Sequence, residues 1–479
     1  MKILKKHLML VLVIVMVLTI TMPALAEKVS DNSDTSSSFS QDNIRKEMKK
    51  KYEFDYKPFL KGKKKLGFKP NKDLFQKVYY FIRLKYVKPV TNQALASGVI
   101  KEVKRLLKQA KVNSSGLDKM AGKGILFEEI VEIYGDKVDP SLIKYACIRG
   151  MLEALEDPHS ILMLPREFKR LQESMSGGNF SGIGVFIMQD IDNFNWLTVS
   201  DPIEGTPAYK AGLQPGDTII AVDGKTTKDE PIDLSVSRIR GAEGTKVVLT
   251  IKRKGVSKPF DVPIIRRFIH VNSVKYKMLP DKIGYIKLRI YSKDSGAEME
   301  KALRELERKD AKAIILDVRN NSGGMLEASY DVCSKFLPAG SPIVGIKSRG
   351  TSMRVKRTRG GMHPELPMVL LINELSASAS EITAGALKDS GRAMLIGART
   401  FGKGSVQVLE PIYLGSTDPA ALKITVSLFY TPKGLKVNGE GLKPHVKVPQ
   451  DVRDAGLSKH EKKKDKQLQK AINYLKKKM

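Results

Sequence analysis

The sequence predicts a multidomain α+β chain in three folded parts: a helical region, a small β-rich module and an α/β core. Three patterns carry this. Apolar residues recur at three- and four-residue spacings from Leu74, as Leu74, Val78, Phe81, Ile82 and Tyr86. After Met175 come short alternating or β-branched runs bounded by Gly, Asp and Pro, among them FSGIGVFIM, NWLTVSDP, GDTIIAVDG and TKVVLTIKRKG. From Lys282 near-continuous apolar runs alternate with helical segments, the pattern of strands covered by helices. A chain of 479 residues also exceeds one ordinary core, and its length suggests about three domains.

Residues 1–26 stand apart. Lys2, Lys5 and Lys6 lead into the apolar run Leu8 to Ile20, followed by Pro23 and Ala24-Leu25-Ala26. A basic start, an apolar stretch too short for a comfortable membrane span and small residues before a cleavage point predict a secretory signal peptide cut after Ala26. An uncleaved anchor is the alternative. Both readings export the rest, to the periplasm or the outer face of the cell membrane. No later run approaches the roughly 20 apolar residues of a membrane helix.

Hydrophobic residues make up 42% and charged residues 28%, as in a folded globular protein. The formal charge is +31, or +28 without the three leader lysines. Lysine is concentrated in residues 45–72 and in the final 27 residues, which suits solvated faces or attraction to an anionic envelope surface. No basic motif interleaved with aromatics accompanies it, so no nucleic-acid partner is expected. Cys147 and Cys333 lie in apolar helical patterns and read as buried free thiols rather than a bridge. There is no CxxC and the six histidines are scattered, so no metal is expected.

Residues 27–72 begin Ser/Asp-rich and become basic, a disordered linker. Residues 73–175 form the helical domain, with helices from Leu74, at about 92–110, 125–134 and 140–155, a stop at DPHS (157–160), and a short helix in PREFKRLQESM. Residues 176–270 are the β-rich module, with short helices at 206–211 and 231–239. Residues 271–450 are the α/β core, with strands in GYIKLRIY, AKAIILDVRNN, PIVGIKS, PMVLLINE and AMLIGART, then a hairpin around 405–413 and 421–430. Residues 451–479 end in a basic amphipathic helix with Leu468, Ile472 and Leu475 on one stripe.

The segment NELSASASEITAG (373–385) places three serines at a strand-to-helix turn, after PMVLLINE and before Glu381 and Ile382. Unsatisfied N–H groups and the positive end of a helix dipole meet there, which suits an activated nucleophile beside an oxyanion site. It equally suits a helix cap, with Ser380 the capping residue. On the next strand Lys403 lies between Gly402 and Gly404 in FGKGSVQ. To act as a base a lysine must fall from about 10.4 to near 7 or 8, so its surroundings must penalise the ammonium by roughly 3–5 kcal/mol. In an extended segment Gln407 shares a face with Lys403 and Ser405, where its amide can orient the amine. From spacing alone Lys403 is also an ordinary lysine in a glycine turn.

NELSASASEITAGALKDSGRAMLIGARTFGKGSVQ resembles the signature of the carboxyl-terminal processing proteases of peptidase family S41, the tail-specific Ser-Lys peptidases of bacterial envelopes and plastids. GMLEALEDPHSILM is similar to that family's helical segment, FSGIGV with DPIEGTPAYKAGLQPGDTIIAVDG to its PDZ domain, and ILDVRNNSGG to its glycine segment, colinear over about residues 75–450. The resemblance implies a helical domain, a PDZ domain and a ClpP/crotonase-like serine protease core. It implies Ser378 as nucleophile, Lys403, 25 residues on, as general base and Gln407 as the residue positioning the lysine. Ser376 and Ser380 become turn and cap, and the backbone N–H groups of Gly323 and Ala379 the oxyanion donors.

PDZ domains capture a carboxyl terminus on a glycine loop and pair the peptide as an added strand. That places Gly182, Ile183, Gly184 and Val185 at the peptide site. Arg240, in SRIRGAEGT, resembles the arginine that bridges the PDZ and protease domains when substrate is bound. The expected partner is a protein or peptide with an exposed apolar C-terminus; no metal or organic cofactor is implied, and a homodimer is. Ser322 stands where the family often has proline and His445 where it often has aspartate. Asp157 and His159 of DPHS fall in a structural junction of the family, outside the site. A histidine triad through His363 or His445, and a noncatalytic ligand-binding protein on the same scaffold, are the alternatives.

Overall fold

The computed structural model describes residues 14–16, 54–62, 66–120, 127–175, 180–190, 196–228, 232–269, 272–363, 365–413, 419–449 and 465–479. Strand β1 (Ile14–Met16) is followed by α1 (Lys57–Leu60), α2 (Lys72–Lys85), α3 (Asn92–Gln109), α4 (Phe127–Tyr134), α5 (Pro140–Glu153), β2 (Ile161–Met163) and α6 (Pro165–Met175). The helices start where the sequence supplies caps. The side chains of Asn71 and Thr91 accept the N–H groups of Leu74 and Ala94, and Asp139 precedes Pro140 in the first turn of α5. Helices α3 and α5 meet at a glycine crossing, where a Cβ on Gly150 would stand 2.5 Å from the Gly98 carbonyl oxygen.

The expected linker is shorter than the sequence suggests. Tyr56, Leu66 and Phe68 are buried in the helical core, and Phe54 packs on Tyr56, Phe59 and Tyr145. Aromatic burial here outweighs the lysines between. Of the expected signal peptide only residues 14–16 are described, as β1; the rest, and residues 27–53 of the linker, lie outside the described residues.

The β-rich module comprises β3 (Phe180–Gly182), β4 (Val185–Asp190), β5 (Trp196–Pro202), α7 (Pro207–Lys210), β6 (Thr218–Val222), β7 (Lys225–Thr226), α8 (Ile232–Ile239), β8 (Lys246–Lys252), β9 (Phe260–Ile265) and β10 (Arg267–Ile269). Its sheet runs β4-β5-β6-β8-β9 with β7 beside β6, while β3 and β10 form a separate ribbon. Alternating residues such as Ile219, Leu249 and Ile251 fill its core. Strand β4 is an edge.

The core domain adds β11 (Val274–Leu279), β12 (Ile283–Leu288), α9 (Ser295–Arg308), β13 (Ala313–Asp317), β14 (Gly324–Met325), α10 (Leu326–Ser334), β15 (Pro342–Ser348), β16 (Arg354–Arg357), β17 (Met368–Ile372), α11 (Ala379–Asp389), β18 (Met394–Gly397), β19 (Ser405–Ile412), β20 (Ala420–Tyr430), β21 (Val446–Lys447) and α12 (Lys466–Lys476). One sheet has the order β11-β12-β13-β17-β18-β21, parallel from β12 onward. Ile314 and Leu316 face a core shared with α9, α10 and α11, while Ala313 and Ile315 face α12, so helices cover both faces. The apolar stripe of α12 is thus used within the chain.

A second sheet runs β14-β1-β19-β20-β15-β16, with β2 on β20. Leu422 and Ile424 of β20 belong to the helical domain's core, so that domain and the β19–β20 hairpin share one interior. Cys147 and Cys333 are buried free thiols. Among the described residues no helix is long and apolar enough to cross a membrane, and no cluster of metal-ligating side chains occurs.

Replacing Gly150 by alanine pushes α3 and α5 apart. The expected loss is about 1–3 kcal/mol of unfolding free energy, read from urea denaturation, with the slope of the transition unchanged.

Candidate active site

Between β17 and α11 the chain turns through Ser378 with φ +58° and ψ −115°. A non-glycine residue held there is strained. The turn is fastened on both sides. Ser376 Oγ donates to the Val318 carbonyl at 2.8 Å, Ser380 Oγ to the Asn321 carbonyl at 2.8 Å, and the Ala377 N–H to the same Asn321 oxygen at 3.0 Å. Ser380 is therefore not the helix cap. Ser378 occupies that position, and Ser380 locks the helix to the glycine segment.

Glu381, completely buried in the first turn of α11, is the hub. Its Oε2 accepts the N–H of Ser378 at 2.9 Å and of Lys403 at 2.8 Å. Its Oε1 accepts the Gly402 N–H at 2.7 Å and the Thr400 hydroxyl at 2.6 Å. The backbones of both sequence-predicted dyad residues thus meet at one carboxylate oxygen. Burial pushes this carboxyl up to about 7, and the four donors pull back toward the anion.

Lys403 is 1% exposed. Gly402 turns with φ +88°, and a Cβ on Gly404 would lie 2.2 Å from the Asn438 nitrogen, so the glycines let the strand press against that loop. Burial first, then the charge of Lys423, hold the Lys403 amine well below the ordinary lysine range; Asp157 and Glu381 oppose the shift. Lys423, on β20, is also buried, and burial brings it to about 8 despite Asp157. Asp157 arrives from the helical domain. Ser160 Oγ donates to Asp157 Oδ2 at 2.7 Å and accepts the Thr425 N–H at 3.0 Å, while β2 pairs Ile161 with Lys423. The DPHS segment, expected outside the site, therefore delivers a carboxylate whose field reaches the lysine.

Gln407 is fully buried and its Nε2 donates to Ser405 Oγ and Thr425 Oγ1 at 2.9 and 3.1 Å. Its Oε1, Lys403 Nζ and Ser378 Oγ have no hydrogen-bond partner among the described residues. A Cβ on Gly323 would lie 2.8 Å from Ser378 Cβ and 3.0 Å from the Ala379 nitrogen, so this contact requires glycine. The Gly323 N–H donates to Asn321 Oδ1 at 2.9 Å. The Ala379 N–H, first in α11, has no acceptor within the helix. Strand β1 lies between the two sides, with Val15 opposite both Gln407 and Met325.

In the β-rich module Gly184 has φ +78° and its carbonyl accepts Thr206 Oγ1 at 2.9 Å, while Ile183 is buried. Gly182 pairs with Arg267 and Val185 with Pro202. Arg240 is half-buried just after α8, its N–H on the Val236 carbonyl at 2.9 Å. A contact the sequence did not reveal joins the modules: the Arg289 guanidinium lies 5.5 Å from the ring centroid of Phe186 on β4. Two residues on, the Tyr291 backbone brackets the glycine turn, donating to the Gly323 carbonyl and accepting from the Met325 N–H at 3.0 and 2.7 Å. His445 Nδ1 accepts the Leu395 N–H at 2.9 Å, and His363 lies 3.8 Å from Glu365.

A strained serine-bearing turn and a buried lysine, joined through one buried carboxylate, are the arrangement expected of a serine hydrolase with a lysine base. Residues 282–448 match peptidase family S41 and residues 198–253 match the PDZ domain. The chain is 37% identical to a carboxy-terminal-processing protease of Bartonella bacilliformis, over 70% of this chain and 76% of that one. It is 35% identical to the carboxy-terminal processing protease CtpA of Bacillus subtilis, over 71% of each. Among solved structures, the photosystem II D1 C-terminal processing protease is 26% identical with a TM-score of 0.45, covering 78% of this chain and 92% of that one. The chain belongs to peptidase family S41 and is a peptidase carrying a PDZ domain.

Two variants test the electrostatics. Lys423→Met removes a cation that opposes protonation of Lys403, so the acid limb of kcat/KM should move to higher pH; Asp157→Asn removes the opposing anion and should move it to lower pH. Glu381→Gln turns an NH2 toward donors now satisfied, each mismatch worth about 1–3 kcal/mol. Steady-state kinetics should show kcat lowered at least about tenfold, with thermal unfolding monitored alongside.

Proposed function

We propose that this chain is an exported serine endopeptidase that binds the exposed C-terminal tail of a protein substrate through its PDZ domain and cleaves with a Ser378–Lys403 dyad. The observation that carries the reading is that one oxygen of Glu381 accepts the backbone N–H groups of both Ser378 and Lys403, while Ser378 Oγ, Lys403 Nζ and Gln407 Oε1 are buried without a hydrogen-bond partner among the described residues.

The neutral Lys403 amine takes the Ser378 proton and Oγ attacks the scissile carbonyl. Gln407 Oε1 accepts a hydrogen bond from the lysine and keeps it aimed. The developing oxyanion is held by the Ala379 N–H and by the Gly323 N–H once it leaves Asn321. The amine then protonates the leaving nitrogen, and water attacks the acyl-enzyme by the reverse sequence. The position of β1, antiparallel to both β14 and β19, supports a substrate bound as an extended strand between the oxyanion segment and the strand of Gln407. The unpaired edge of β4, beside Gly182 to Val185, supports capture of the tail by strand addition. The leader of residues 1–26 supports export, and the net charge of +31 a place beside an anionic envelope surface. Homodimer formation rests on the family resemblance alone.

The test compares wild type, Ser378→Ala and Lys403→Ala on an unstructured protein with and without an apolar tail. Both variants should lose at least about a thousandfold in kcat while still binding the tailed substrate. Removing the tail should lower wild-type kcat/KM at least about tenfold. Full cleavage by either variant would contradict the dyad, and tail-independent cleavage the PDZ reading.

A further inference from the structure

The peptide segment that carries Gly323 is anchored from below by charge, and part of that charge comes from the far end of the chain. Asp317, at the end of β13, and Arg319 are both buried. The Arg319 guanidinium donates to Asp317 through Nε and Nη2, the latter at 2.7 Å, and to Asp465 through Nη1 and Nη2 at 2.9 and 2.8 Å. Nη1 also reaches Gln467 Oε1 at 3.1 Å, and Gln467 in turn donates to the Val448 carbonyl at 2.8 Å. Asp465 caps α12, accepting the Leu468 N–H at 2.9 Å. On the other side, Lys287 Nζ binds both Asp317 Oδ1 at 3.0 Å and the Arg319 carbonyl at 2.7 Å, and the Tyr285 hydroxyl donates to Asp317 Oδ2 at 2.7 Å.

Arg319 is two residues before Asn321 and four before Gly323. Its backbone is held at both ends, the N–H by Asp317 Oδ1 at 2.9 Å and the carbonyl by Lys287. Its side chain has no such freedom to choose. Asp317 is shared between Lys287 and Arg319, and Asp465 is the second carboxylate on Arg319. Without Asp465 the buried guanidinium loses two charge-assisted hydrogen bonds, a costly loss for a buried ion. Movement of Arg319 to find water would drag the turn whose glycine lies against Ser378 and Ala379.

We propose that α12 is a positioning element of the peptidase site: Asp465 clamps Arg319 and thereby sets the place of the oxyanion turn 319–323. Asp465 is a positioning residue that does not touch substrate. The proposal rests on the Ser378 peptidase reading for its kinetic consequence, but its structural part stands apart from that reading.

The experiment uses the full chain and the variants Asp465→Ala, Asp465→Glu and Leu475→Ala. Asp465→Ala should lower kcat ten- to a hundredfold with KM within threefold, and weaken inhibition by a peptide boronate, which needs the oxyanion donors, by a similar factor. Asp465→Glu should recover most of the loss. Leu475→Ala, which loosens α12 without touching Arg319, should lower the Tm at least as much yet keep kcat within threefold. Amide hydrogen exchange over residues 318–325 should be faster in Asp465→Ala than in wild type. Unchanged exchange and wild-type kcat in Asp465→Ala would overturn the clamp, as would kcat losses that merely follow Tm across the three variants. A wild type insensitive to the boronate and unaffected by Ser378→Ala would instead overturn the peptidase reading, and the exchange result would still decide the clamp.

Discussion

The site depends on one buried carboxylate. Glu381 sits in the first turn of α11 and receives the N–H groups of Ser378, Gly402 and Lys403 and the hydroxyl of Thr400. The turn that carries Ser378 and the segment that carries Lys403, before β19, are drawn to the same carboxylate. No direct hydrogen bond between Ser378 and Lys403 is needed to keep them together. Ser378 Oγ and Lys403 Nζ are left without a hydrogen-bond partner among the described residues, while the backbones of both residues are held by this one carboxyl group.

Around this hub the protein separates positioning from chemistry. Ser376 and Ser380 spend their hydroxyls on carbonyls of the glycine segment, so that only the middle serine keeps an unbonded oxygen. Lys403 is stripped of water, and a second buried lysine discourages its protonation, whereas Asp157 moderates both. Because Asp157 comes from the helical domain and the core of that domain includes Leu422 and Ile424, this domain is part of the active-site wall. The PDZ module touches the same machinery through Phe186 and Arg289, two residues before the strand segment that brackets Gly323.

Local chemistry made much of the fold readable. Asn71, Thr91 and Asp139 cap helices where their side-chain oxygens can reach first-turn N–H groups, and PREFKRLQESM forms a helix over its full span. The expected hairpin forms over 405–412 and 420–430, its two strands antiparallel. The segment around Tyr56 was illegible because its aromatics are dispersed among lysines and follow neither helical nor strand periodicity; Glu102, Tyr145 and Arg149, distant in sequence, receive them. Ser380 looked like a cap because serine is one, yet the strained turn moved the cap position to Ser378.

The sequence by itself determined the order of the parts, the serine turn, the glycine-flanked lysine and the family to which they point, because each is written in residues close together along the chain. Only the tertiary structure decided that Glu381 joins the serine to the lysine, that Asp157 and Lys423 share the lysine's field, and that Asp465 holds Arg319 beneath the glycine turn. A glutamate in a first helical turn, a lysine in a strand and an aspartate before a basic tail are ordinary residues locally. They acquire meaning from burial, since a charge removed from water is governed by whatever charge the fold brings beside it, at any distance in sequence.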